Sequence, residues 1–405
     1  MKSQKLFEEI GGIDDHFVSE ANTNTLRAKS SKRLWIRWTS VAAAACLVIA
    51  AMALLLPKQN NDIVADLPVL TISKDENTMG FEGHLAYDIK ELRNGNPWSI
   101  NESIATLPVF QNTALYDFAG FPLKGLSSDA MMQKAKDIAS LMGLTLDSVY
   151  TNPTEADLQK QIEKEQSVPG NADVSANATP IEAVAVCGDV TIKVGANGAI
   201  RIFFEKGVQL PDQYSVTYHE TSEQQAQDVI RYLLEQYKEV VDMQAPELAL
   251  FGDYTYQGQR NFSYGAYENS GSLTDRILGF NFNFVRFSPN DDGVLWIIDR
   301  HTMDLSQKLG DYPIITAKEA QELLLQKHYI TTVPEELPGA EYIAGVELIY
   351  RTGRYDEVFM PYYRFLVEMP NMQRDNGLKT FGAFYVPAVE GRYLINMPLW
   401  DGSFN

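Results

Sequence analysis

Residues 190–204 read Val190-Thr191-Ile192-Lys193-Val194, then Gly195-Ala196-Asn197-Gly198, then Ala199-Ile200-Arg201-Ile202-Phe203-Phe204. Two alternating, β-branched runs flank an Asn-Gly pair that tolerates positive φ, and the pattern predicts an antiparallel hairpin. Downstream, Thr221 and Gln224 have the spacing of a capping box, and Ala226, Val229, Ile230, Leu233, Leu234 and Tyr237 recur on one helical face. Upstream, Ser127–Gly143 repeats the theme, with Met131, Ala135, Ile138, Ala139 and Met142 at helical spacing and Gly143 as the stop. A third helix is predicted from Thr316, where Glu319 completes a box, through Ala320, Leu323 and Leu324 to His328.

The three helix starts lie 94 and 95 residues apart. Strand-like runs at 247–257, 261–268, 276–287 and 293–300 follow the second helix, and runs near 341–350, 359–369 and 380–387 follow the third. The expected fold class is therefore α+β, built of tandem units in which a helix covers one face of an antiparallel sheet. Their bounds are 127–220, 221–310 and 311–405, preceded by a tether and strand-rich segment over 57–126. Within the first unit, the polar stretch 150–180 reads as a short helix and a mobile loop.

The 405-residue chain has 34 Lys and Arg against 53 Asp and Glu, a formal charge of −19. Residues 1–37 hold seven basic and five acidic side chains, so the arm is +2 and the remainder −21. Such an acidic body repels phosphate backbones, and direct nucleic-acid binding is not expected. From Trp38 to Leu56 no residue is charged. As a helix these residues reach about 28 Å, the hydrocarbon thickness of a bilayer, and Pro57 ends the run. Lys29, Lys32, Arg33 and Arg37, with Trp35 and Trp38, mark the N-terminal boundary as the cytoplasmic one. The expected arrangement is an arm over 1–37, a transmembrane helix over 38–56 and an extracytoplasmic remainder in the cell membrane. A cleaved signal peptide ending near Ala51-Met52-Ala53 is the alternative, although five acids precede the apolar run.

In the arm, Leu6, Phe7 and Ile10 form one apolar stripe, Gly11-Gly12 interrupts it, and Ile13, Phe17 and Val18 form a second, with Asp14 and Asp15 at its helix start. Helices this short need a partner. The stretch Ile10-Gly11-Gly12-Ile13-Asp14-Asp15, followed by Val18, Glu20 and Ala21, a basic tether and an Ala-rich span containing Cys46, resembles single-pass proteins of Clostridia-type Gram-positive bacteria. That resemblance implies an anti-sigma-factor-like arm ahead of a variable outer domain, with a sigma factor or another cytoplasmic regulator as partner. No His-x-x-x-Cys-x-x-Cys pattern is present, so the zinc-containing type is not implied. The last unit, through Ile315–Ala320, Val346–Tyr350, Pro361–Phe365 and Phe384–Pro387, resembles PepSY-like units and the YycH/YycI membrane-anchored regulators. Those families imply regulation by protein contact outside the membrane. A retention segment with no signalling role, on a module tethered to bind the envelope, is the other reading of the arm.

Two cysteines, Cys46 and Cys187, exclude a disulfide framework. No Gly-x-Ser-x-Gly, His-Glu-x-x-His or phosphate-binding glycine loop occurs, and the histidines are scattered singly. No catalytic group, cofactor or metal site is nominated, and the expectation is a non-enzymatic protein. Ser288–Asp299 approaches a calcium-loop spacing, but its flanks favour a hairpin turn. Asp299 and His301 share one strand face without a third convergent group. Phe280, Phe282 and Phe284 alternate, giving an aromatic face read as core. Tyr254, Tyr256, Tyr264 and Tyr267 form a second aromatic set, nominated as the surface for a ligand, either an extracytoplasmic protein or an envelope component.

Overall fold

The computed structural model describes residues 67–72, 84–87, 95–115, 124–154, 180–217, 220–254, 260–353, 356–372, 374 and 377–402, with isolated positions between 156 and 163. Residues Asp66–Asn405 form one compact unit. The arm over 1–37, expected to be cytoplasmic, and the apolar run at 38–56 expected to span the membrane lie outside the described residues, as does most of the loop expected over 150–180. Among the described residues no helix is long and apolar enough to cross a membrane.

In chain order the unit opens with β1 (Leu70–Thr71), β2 (Leu85–Tyr87) and β3 (Thr106–Gln111). Next come α1 (Ser128–Leu141), β4 (Ser148–Asn152), β5 (Glu182–Cys187), β6 (Val190–Gly195) and β7 (Ile200–Gln209). Then follow α2 (Glu223–Gln236), α3 (Lys238–Val241), β8 (Pro246–Leu248), β9 (Phe251–Tyr254), β10 (Arg260–Glu268), α4 (Leu273–Phe282), β11 (Asn283–Pro289) and β12 (Val294–Thr302). The chain closes with β13 (Lys308–Pro313), α5 (Ala317–Leu325), β14 (Ile330–Thr331), β15 (Ile343–Tyr350), β16 (Val358–Phe359), β17 (Pro361–Glu368), β18 (Lys379–Pro387) and β19 (Leu394–Ile395). The fold is α+β with mostly antiparallel sheets.

The first two helix-sheet units share a single nine-stranded sheet of order β4-β5-β6-β7-β12-β11-β10-β8, with β9 also on β10. Each contributes a meander after its helix, and the last strands of the two meanders, β7 and β12, pair antiparallel at the centre. The two halves are thus related as if by a two-fold axis through that seam. On one face Ile192, Val194, Ile200, Ile202, Val285 and Ile298 pack beneath Met131, Ala135 and Ile138 of α1 and Val229, Ile230 and Leu233 of α2. Each large aliphatic buried there contributes about 1.5–3 kcal/mol. Ala183 and Ala185 of β5 are fully buried, and their small side chains let α1 lie close to the strands.

The third unit is wired differently. Its sheet runs β14-β18-β17-β15, so the strand after the helix returns beside the last strand, and β2 adds to β18. This sheet is buried on both faces. Tyr363, Phe365, Phe384 and Val386 pack with Ala320 and Leu324 of α5, whereas Tyr362, Leu366, Ala383 and Tyr385 pack with Val109 of β3 and Tyr312 of β13. On that second face Arg364 Nε donates to Glu347 at 2.8 Å, a largely buried pair that offsets the desolvation of both charges.

Several boundaries differ from expectation: α5 ends at Leu325 rather than His328, with Lys327 at φ 68°, and the run at 247–257 divides into β8 and β9. The capping box of α2 is formed by Ser222 and Gln225, one residue later than Thr221 and Gln224, because the Thr221 hydroxyl instead accepts the Thr217 amide at 2.7 Å. The run 276–287, expected as one strand, is α4 followed by β11. Ser272 and Asp275 form a capping box there, and Asn281 donates to Ile277 O at 2.8 Å while accepting the Tyr350 amide at 2.9 Å. α4 wedges the nine-stranded sheet against the C-terminal one, placing Ile277 and Phe282 in the second core.

The wedge sits so close to β10 that a Cβ on Gly279 would lie 1.8 Å from Glu268 O, whereas one on Gly391 would meet nothing. Gly279→Ala is expected to lose about 1–3 kcal/mol or more, and Gly391→Ala to stay near neutral, as read from urea unfolding midpoints.

Candidate functional site

A groove of about 900 Å³ lies between α2 and α3 on one side and the edge strand β8 on the other. Its helical wall is a polar stripe along the edge of the buried face of an amphipathic helix: Glu223, Gln227, Arg231 and Glu235 recur at four-residue spacing beside Ile230 and Leu234. These side chains satisfy one another. Gln227 donates to Glu223 at 3.3 Å, Arg231 to Gln227 at 3.3 Å and to Asp228 at 2.8 Å, and Lys238 to Glu235 at 3.2 Å. The floor is apolar, made by Leu234, Val241, Met243, Leu248 and Leu250. Asp242, at φ 45°, turns the chain from α3 toward β8. β8 ends the sheet path, pairing within it only with β10, and Pro246 removes one donor from that edge.

The aromatic set nominated from sequence does not form one surface. Tyr264 is buried in the core beneath α1 and α2, and Tyr267 is buried on the opposite side of the same strand. An odd separation along a strand sends two side chains to opposite faces, which is why they part. Tyr254 is half-buried on β9, and Tyr256 lies outside the described residues. Tyr267 nevertheless supports the groove: its hydroxyl donates to Gly95 O at 3.0 Å, and Gly95 lines the mouth. Burial, reinforced by Glu247, pushes that phenol up to about 12, so it remains a donor. The nominated arm residues Leu6, Phe7, Ile10, Ile13, Asp14, Asp15, Phe17 and Val18 lie outside the described residues.

The three alternating phenylalanines also part, because a helix ends between them. Phe280 packs edge-on against Tyr267 at 5.2 Å, and Phe282 enters the second core beside Tyr350 and Phe359. Phe284 alone lies on the sheet face opposite α1 and α2, where His301 stacks on it at 4.5 Å and 18°. Asp299 on the same face is bound by Arg201, Nε to Oδ1 at 2.5 Å and Nη2 to Oδ2 at 3.2 Å. Asp299 and His301 are therefore held by a guanidinium and an aromatic ring. The Ser288–Asp299 stretch is a hairpin turn: Asn290 Oδ1 accepts the amides of Asp292 and Val294, and Gly293 has φ +67°. Among the described residues no group of three or more His, Cys, Asp or Glu is placed to hold a metal ion, and Cys187 is a buried free thiol.

Compared with protein-family models and with curated proteins, the chain matches none. Among solved structures, it is similar to the crystal structure of an uncharacterized protein from Eubacterium rectale, at 10% identity and a TM-score of 0.27, over 71% of this chain and 85% of that one.

The His301 imidazole is held below its ordinary 6.5, chiefly by burial; Asp299 opposes the shift, and Arg286, Arg201 and Arg300 reinforce it. The unfolded chain thus takes the proton first, so stability from this site is full above about pH 6.5 and declines as pH falls toward the folded value. Between about pH 7.5 and about pH 5 the urea midpoint is expected to fall less in His301→Gln than in the parent.

Proposed function

We propose that this chain is a single-pass membrane protein whose outer α+β unit captures an extended polypeptide in the α2–β8 groove and whose N-terminal arm contacts a cytoplasmic regulator, a sigma factor. The groove carries the reading. Its wall charges already satisfy one another and its floor is apolar, which suits a chain segment with apolar side chains better than a small ion. An edge strand beside such a floor is the geometry by which an extended peptide adds main-chain hydrogen bonds. The uncharged run 38–56 and its basic N-terminal flank support the anchor, and the apolar stripes of residues 6–18 support the arm as a contact surface. The chemistry is binding rather than catalysis. One helix transmits a signal by being cleaved or by changing its association, so ligand capture acts through either event.

A second reading is a membrane-tethered envelope-binding module with an inert arm. The aromatic and cationic sheet face around Phe284 favours it.

Transcription dependent on the sigma factor encoded beside this gene separates the two. Deleting residues 1–25 is expected to raise that transcription several-fold, and Met243→Arg, which sets a cation on the groove floor, to abolish the ligand response. An unchanged reporter in the deletion strain removes the regulatory reading. An unchanged response in Met243→Arg removes the groove.

A further inference from the structure

The sheet face turned away from α1 and α2 concentrates cations in a chain that carries −19 overall. The register places Lys193 opposite Arg201, Arg201 opposite Asp299, and Asp299 opposite Arg286, one row across β6, β7, β12 and β11. At about 4.8 Å between strands this row spans about 14 Å. Each cation lies over an aromatic ring: Lys193 and Arg201 are 5.5 and 5.9 Å from the Phe203 centroid, and Arg286 is 5.1 Å from that of Phe284. His301 stacks on the same Phe284, so Arg286, Phe284 and His301 form a pillar of restricted side chains.

The three cations are not equivalent. Arg201 is neutralised by Asp299, and Lys193 has Glu182 at 3.8 Å. Arg286 is exposed in part of its surface, and no hydrogen bond or ion pair with the described residues holds it. Its neighbours partly desolvate the guanidinium, Asp299 favours its charge from across the register, and its planar fork of donors is available to an external acceptor. Further along β12, a register shift between Leu295 and Ile297 turns Trp296 outward, where it is 38% exposed. The indole lies three residues along β12 from Asp299, the residue opposite Arg286, so one polymer running along the face can set a sugar ring on the indole and a carboxylate on the guanidinium. A purely phosphate-linked chain would use the second and leave the first idle.

We infer that this face binds an acidic glycan, a polymer whose sugar rings carry carboxylates, with Trp296 stacking a ring and Arg286 holding a carboxylate in bidentate fashion. Asp299 fixes Arg201 beside it, and Lys193 extends the positive strip to a neighbouring sugar. The acidic remainder of the surface repels such a polymer, which confines it to this strip. The site is separate from the groove and stands without it.

The full chain in zwitterionic detergent, titrated with a galacturonic acid hexamer and followed by calorimetry, tests the assignment. Arg286→Ala and Trp296→Ala are each expected to weaken binding about tenfold or more, and Arg286→Lys to recover only part of the loss. Met243→Arg in the groove is expected to bind as the parent does. Both face residues are exposed, and unchanged thermal midpoints certify folding. Absence of binding, parental affinity in Arg286→Ala, or equal affinity for a neutral glucose hexamer overturns the proposal. So does inorganic polyphosphate binding as tightly as the hexamer and indifferently to Trp296→Ala.

Discussion

The antiparallel seam between β7 and β12 is the constraint on which the larger half of the unit depends. Two helix-sheet units that would each present an unpaired last strand spend those strands on each other. On the core side of the seam Ile200, Ile202 and Ile298 join the two halves into one apolar layer beneath α1 and α2. On the other side Arg201 and Asp299 cross it as an ion pair. Arg300, buried at the same place, donates to Val241 O at 2.7 Å and to His301 O at 2.5 Å, tying the end of α3 to the central strands. A guanidinium taken so far from water is stable only because backbone carbonyls accept from it, Val241 O at the end of α3 and His301 O and Phe284 O in the central strands. The groove inherits its shape from this tie, since α3 leads directly into β8.

How much of this was legible in the chain differs from element to element. α1, α2 and α5 declare themselves by a side-chain cap followed by an apolar stripe, because both signals are local. α4 does not. Gly279 and three alternating phenylalanines imitate a strand, and the competing signal, Ser272 three residues before Asp275, is a capping box with Asp in place of the usual Glu. β13 is hidden for a different reason: Lys308-Leu309-Gly310-Asp311-Tyr312-Pro313 has no strand composition, and it is held by pairing with β3, some 200 residues earlier. The first two units, whose expected helix starts lie 94 residues apart, each place a helix over strands of one shared sheet. The third keeps the helix and changes the strand order, which no local pattern encodes.

The groove and the cationic sheet face were less legible than the fold because each is assembled across the sequence. Arg201 and Asp299 are 98 positions apart, and the groove is built from α2, α3, β8 and Gly95. The tyrosines at 264 and 267 were visible as a cluster in sequence, but strand periodicity sends them to opposite faces. What could have been read is the alternation Lys193, Arg201, Asp299, Arg286 on the non-core positions of strands whose core positions are aliphatic. The charge of −19 conceals it, since a total is blind to where its minority sign collects.

One further feature sits where the chain enters this unit. β1 lies parallel to β19, with Leu70 opposite Leu394 and Thr71 opposite Ile395, and Tyr312 donates to Pro68 O at 2.7 Å. Entry and exit are clasped together, so a pull on the residues preceding Leu70 is borne first by this short ladder and the Tyr312 hydroxyl. Shear resistance of a two-residue ladder is small beside that of the nine-stranded sheet. The clasp is therefore the mechanical fuse of the unit, the part expected to yield first under tension while the nine-stranded sheet, with its groove and cationic face, keeps its shape.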